Sequence, residues 1–149
     1  MMLRLASLVS AFCLTTSAQA EQPPAGSDAR ATLVFYRTPG WVGSAIRHVV
    51  MINGERAAKL RSKSYTTLSL KPGRYTVCIF GDELCVAPFE VIAGETYYIR
   101  DTSDASYAGS GNHVFSIYLS QVDSKTGRTQ SAGLKRVEPE AAFKPATTD

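Results

Sequence analysis

Leu68-Ser69-Leu70-Lys71-Pro72-Gly73-Arg74-Tyr75-Thr76-Val77-Cys78-Ile79-Phe80-Gly81-Asp82-Glu83-Leu84-Cys85 decides the fold. Its first part completes a period-2 segment, Ser64 to Leu70, in which Tyr65, Thr67 and Ser69 alternate with Thr66, Leu68 and Leu70. Such alternation marks a strand. Lys71-Pro72-Gly73 turns the chain, and Arg74 to Phe80 is β-branched and aromatic enough for a central strand. Gly81-Asp82 is a two-residue turn with glycine first, as type II′ prefers. That turn sets Ile79 opposite Leu84 and Cys78 opposite Cys85. Opposed Cα atoms lie roughly 4.5 to 5.5 Å apart, within the range a disulfide accepts. The bridge would close a loop of about eight residues and contribute about 2.5 kcal/mol on the chain-entropy account. Two rivals stand beside it. A redox pair wants C-x-x-C at a helix start, and a metal centre wants more ligands than two thiols. Six intervening residues and no helical text favour the disulfide.

The same punctuation extends outward. Ala31 to Arg37 is a strand with Leu33, Phe35 and Arg37 on one face, broken by Thr38-Pro39-Gly40. A loop carrying Trp41, Gly43, Ser44 and Ala45 follows. Ile46 to Ile52 and Glu55 to Leu60 flank Asn53-Gly54, a type I′ hairpin signal. Leu84 to Ile92 returns with Pro88 interrupting it, as at an edge or bulge. Glu95 to Asp101 is a strand, Thr102 to Asn112 a Ser-, Gly- and Asp-rich loop, and His113 to Val122 the last strand. About eight short strands with turns every eight to twelve residues predict an all-β fold, an antiparallel sandwich or small barrel. The domain spans 31–122, after a leader at 21–30. Residues 123–149 form an extension, partly disordered, with one helical turn expected over Glu140 to Lys144.

Residues 1–20 read as a secretory signal peptide: Arg4, an apolar run from Leu5 to Leu14, then Ser17-Ala18-Gln19-Ala20 before Glu21. The run is about half the length of a membrane-spanning helix. Cleavage would leave 129 of the 149 residues (149 minus 20), one domain. Export to the periplasm is the expected outcome, and it suits the paired cysteines. Cys13 follows Phe12, a poor match to the small residue that precedes a lipidated cysteine. The formal charge of +3 falls to +2 when Arg4 is removed, too mild for a nucleic-acid stripe. Arg56, Lys59, Arg61 and Lys63 alternate with apolar residues and read as a solvated strand face.

Chemistry-bearing text is sparse. No G-x-S-x-G, H-E-x-x-H or phosphate loop occurs. Gly109-Ser110-Gly111 is a loop tip with no helix after it. His48 runs in phase with Ile46, Val50 and Ile52, as a core-edge or surface residue. His113 has Asp101 and Asp104 near it in sequence, at no metal-ligand spacing. An enzyme using those three would need them to converge in one cleft. We expect no catalytic residues, no metal and no cofactor. Trp41, Tyr97 and Tyr107 border the two long loops and could form an aromatic binding surface. The alternative is that Trp41 folds back over the open end of the core.

Leu68 to Val77 resembles the L-x-P-G-x-Y-x-V strand-turn-strand signature of transthyretin-like and carboxypeptidase-regulatory-like domains. Val91-Ile92-Ala93-Gly94-Glu95-Thr96-Tyr97-Tyr98-Ile99 resembles their later V-x-A-G-x-x-Y-x-I segment. Ala31 to Arg37, Val42-Gly43-Ser44 and the Val50 to Leu60 hairpin resemble bacterial proteins of the DUF2846 family. The likeness covers residues 31–122. It implies an antiparallel Ig-like or transthyretin-like β-sandwich of seven to eight strands in an envelope protein, and it carries over no catalytic residue. The expectation is a non-enzymatic envelope domain that binds a protein or envelope glycan through loops or a sheet edge. The runner-up is a secreted inhibitor of a lytic enzyme such as lysozyme, inserting the Thr102 to Asn112 loop.

Overall fold

The computed structural model describes residues 29–40, 43–81, 84–108 and 112–144, with the backbone alone at 106–108 and 112–113. The expected signal segment, Cys13, most of the leader, Trp41, Asp82-Glu83 and Gly109-Ser110-Gly111 lie outside the described residues.

Strand β1 (Ala31–Arg37) is the middle of a five-stranded sheet. It pairs antiparallel with β4 (Ser64–Leu70), so that Leu33 faces Leu68 and Arg37 faces Ser64. Its other neighbour is β9 (Thr96–Ala108), which pairs in turn with the edge strand β10 (Asn112–Val122). At the far edge β11 (Lys135–Arg136) joins β4. A second sheet runs β3 (Glu55–Leu60), β2 (His48–Ile52), β6 (Val77–Ile79), β7 (Leu84–Cys85). A two-stranded ribbon joins β5 (Gly73–Tyr75) to β8 (Phe89–Val91).

The two main sheets share one core. Leu33, Phe35, Leu68, Leu70 and Ile99 meet Val50, Ile52, Leu60, Val77 and Ile79 in a single buried cluster. Each such side chain contributes about 1.5–3 kcal/mol by leaving water. The outer face of β1 is also covered. Val34, Tyr36 and Tyr98 form a second cluster, over which helix α1 (Ser124–Ser131) lies. Burial on both faces explains why Leu33 to Tyr36 is continuously apolar rather than alternating.

The all-β class holds, and Cys78 and Cys85 are joined as the turn geometry requires, with Ile79 opposite Leu84. Several finer expectations are corrected. The five-stranded sheet is mixed: β1 runs parallel to β9, and β4 parallel to β11. Parallel neighbours need a long crossover, and here the whole second sheet lies between β1 and β9. The single strand Arg74 to Phe80 is divided at Thr76. The Asn53 side chain takes the Thr76 N–H at 2.8 Å, and Thr76 C=O accepts from the Asn53 N–H at 3.0 Å. The chain thereby leaves β8 and joins β2. Thr102 to Ala108 is strand rather than loop, since β9 continues to Ala108, and β10 begins at Asn112. Ordered structure also extends past Val122. Asp123 caps α1 by accepting from the Thr126 N–H at 2.9 Å. Beyond β11 the tail donates from Glu140 N–H to Ala57 C=O at 2.8 Å and seats Phe143 against the core. The segment at Glu140–Lys144 makes a turn, closed by Phe143 N–H to Glu140 C=O.

Candidate functional site

Three strands each carry a polar residue in the phase of their buried apolar neighbours. Arg37 follows Leu33 and Phe35, Asp101 follows Ile99, and His48 precedes Val50 and Ile52. The fold brings the three together between the sheets at one end of the molecule. Their exposures are 1%, 0% and 4% respectively, so the group is closed to water.

Within it the His48 Nδ1–H donates to Asp101 Oδ2 at 2.6 Å, and Arg37 Nε lies 3.6 Å from the same oxygen. Arg37 reaches further. Its Nη1 donates to Ile46 C=O at 2.6 Å, and its Nη2 donates to Gly43 C=O at 2.9 Å and to Ser103 Oγ at 3.2 Å. Burial pulls the guanidinium below its ordinary range while the Asp101 carboxylate holds it up. Arginine starts high enough to stay charged. The backbone closes the arrangement, since Thr38 N–H donates to Asp101 C=O at 3.1 Å. The planar fork of Arg37 therefore ties β1, β9 and the 43–46 turn into one unit. Gly43 has φ of +65°, and a Cβ there would meet Arg37 Nη2 at 3.3 Å. Glycine suits both constraints.

Chemically, His48 and Asp101 have the relation of a base and its orienting carboxylate. Among the described residues no hydroxyl or thiol bonds to His48, and the ring is buried. The ion group holds structure, at the cost of dehydrating charges.

Above it the surface changes character. Beyond Asp101, β9 and β10 run past the end of β1, which stops at Arg37. They project as a two-stranded ribbon. On its inner face, continuous with Asp101, Phe115 is 69% exposed, while Ile117 and Leu119 turn into the core. Ile46 on the anchored turn is 61% exposed, and Phe80, at the end of β6, is 68% exposed. Phe80 N–H donates to Val49 C=O, which sets it beside the start of β2 at the same end. An open cleft of about 590 Å³ is lined by Pro39, Gly40, Ser44, Ser62 and Lys63.

Of the sequence-predicted surface, Trp41 lies outside the described residues, and Tyr97 and Tyr107 are far apart. Tyr97 and Tyr107 share strand β9, ten residues and therefore about 33 Å apart. Tyr97 sits half-buried at the opposite end. Its ring is 5.6 Å from that of Phe89, and its hydroxyl accepts from the Ile92 N–H at 3.0 Å. It is a packing residue. The register sets Tyr107 opposite His113 near the ribbon tip. The enzyme reading of His113 also fails geometrically. Asp101 lies six residues from Tyr107, about 20 Å along the strand, and Asp104 falls on the opposite face from Asp101. Among the described residues no group of three His, Cys, Asp or Glu side chains could hold a metal ion. Nor is any described helix long and apolar enough to cross a membrane. Comparison with known proteins returns no match among family models, curated proteins or solved structures.

Proposed function

We propose that the chain is an exported, non-enzymatic binding domain of the cell envelope, recognising a protein or envelope glycan at the end formed by the 43–46 turn, Phe80 and the β9–β10 ribbon. The observation that carries this reading is the exposure of Ile46, on a turn that the buried ion group fixes, with Phe80 and Phe115 also exposed at that end. Apolar side chains exposed together on a rigid frame mark an interaction surface. The signal-peptide text and the Cys78–Cys85 bridge support export. The likeness to envelope domains of the DUF2846 family supports the compartment. The sealed position of His48 and Asp101 supports a non-enzymatic role.

The test is capture from an envelope extract and from purified peptidoglycan, comparing wild type with Phe115→Ser and Ile46→Ser. Both positions are on the surface, so the variants should keep the wild-type melting temperature. Retention by wild type and loss in the variants is the expected result. Equal retention by all three would move recognition elsewhere. A second reading, an inhibitor of a lytic enzyme, draws on the projecting ribbon, which has the shape to enter a cleft. A lysozyme inhibition assay decides it.

A further inference from the structure

Three of the four edges of the two main sheets carry a device against strand pairing. β3 exposes Glu55, Arg56 and Lys59. β11 has two residues, both basic and exposed. β7 has two residues and is followed by the Pro88 break. Charge, brevity and proline are the usual protections of an edge. β10 has none of them. Its sequence, Asn-His-Val-Phe-Ser-Ile-Tyr-Leu-Ser-Gln-Val, holds no proline and no Asp, Glu, Lys or Arg over 11 residues. Among the described residues it pairs on one side only, with β9. β7 approaches from the other sheet without bonding to it. Two residues span about 7 Å, against about 36 Å for β10. Val114, Phe115 and Tyr118 are exposed along this edge strand.

We propose that β10 pairs antiparallel with β10 of a second copy of the chain, about a two-fold axis at Ser116. The strand's own text is what selects this occupant. With the axis at Ser116, Val114 lies opposite the partner's Tyr118 and Phe115 opposite the partner's Ile117. Both are aromatic to β-branched pairs, the favourable cross-strand kind. Moving the axis to Phe115 or Ile117 sets Val114 opposite serine, and Tyr118 opposite asparagine or serine. An axis between residues would put the core face of one copy on the outer side of the other. The pairing is isologous, so it closes at two chains. It joins the two five-stranded sheets into one. The inference does not rest on the recognition reading: it is argued from the unprotected edge of β10 and its cross-strand text, and Phe115 is the residue that the two share.

The test is sedimentation equilibrium of the chain expressed with its own leader, over a concentration series. The expected result is a mass rising from one chain to two. Ser116→Lys and Ser116→Glu each place like charges on the axis and should shift dimerisation to concentrations about tenfold higher. Mixing the two variants should restore it. Ser116→Cys, mildly oxidised, should give a disulfide-linked dimer that reductant dissolves, a readout that needs no charged substitution. A single-chain mass at every concentration overturns the proposal. So does a dimer that Ser116→Lys and Ser116→Glu leave unchanged, a mixture no tighter than its components, or failure of Ser116→Cys to cross-link. Exchange protection, in a monomer, of the β10 amides that do not bond to β9 would also overturn it.

Discussion

Asp101 is the residue on which one end of the molecule turns. Its carboxylate faces an arginine and a histidine where no water reaches. Replacing one member of such a buried group leaves its partners unmatched, a change that typically costs about 3–5 kcal/mol. Asp101→Ala should therefore lose about that much in urea unfolding, a large share of the roughly 5–15 kcal/mol that holds a domain folded. Arg37→Lys is a narrower change. An ammonium cannot reproduce the fork, so amide exchange at Ile46 should accelerate while the melting temperature falls less than in Asp101→Ala. This cluster was half legible in the sequence. Arg37 and His48 announce themselves by continuing the apolar phase of their strands, and Asp101 does the same after Ile99. Their meeting was not legible, because it depends on β1 and β9 running parallel, and no local signal encodes the pairing of residues 64 positions apart.

Among the elements, helix α1 is the one the sequence concealed. Ser-Lys-Thr-Gly-Arg-Thr-Gln-Ser has no apolar stripe, and a glycine stands in its middle. The helix is held by a cap and by contact. A Cβ on Gly127 would collide with Cβ, Cγ and Cδ1 of Tyr98, so glycine is what lets the helix lie on the sheet. Gly127→Ala should lower the melting temperature even though alanine favours an isolated helix by about 1 kcal/mol. A rise would show that the helix is not docked there. The cap has a pH signature. Hydrogen bonds from Thr126, side chain first and then backbone, hold the Asp123 carboxyl below its ordinary range. A depressed folded-state value stabilises above the unfolded one, and that contribution is lost as pH falls through the folded one. Amide protection in α1 should thus decline below about pH 4. The Thr102 to Asn112 segment misleads for the opposite reason. Its serines, glycines and aspartates suggest a loop, but pairing with Val114 to Tyr118 draws it into β9. The Asn53-Gly54 turn and the Cys78–Cys85 pairing were legible because each is fixed by residues a few positions apart.

At the scale of the whole molecule, tyrosines set the alkaline limit. Burial pushes Tyr36 up, with Asp123 adding to the rise and Arg100 opposing it. Burial likewise pushes Tyr75 up against Arg30. Tyr36 also donates to Gln130 Oε1 at 2.7 Å, tying the helix to the sheet. A raised folded-state value gives stability that is complete below the unfolded value and lost as pH rises. Unfolding should therefore set in above about pH 10 and coincide with late ionisation of these two phenols, followed by their ultraviolet difference absorbance. Tyr36→Phe should remove one late-titrating phenol and about 1 kcal/mol. The way Arg37 holds the turn bears on how the surface can change. Arg37 grips the 43–46 turn through hydrogen bonds to main-chain carbonyls, those of Gly43 and Ile46. Glycine aside, the turn's path is thus indifferent to what it displays. Ser44, Ala45 and Ile46 can be exchanged for other residues without a new loop shape having to be found, so the fold offers selection, or a library, a short variable segment on an invariant mount.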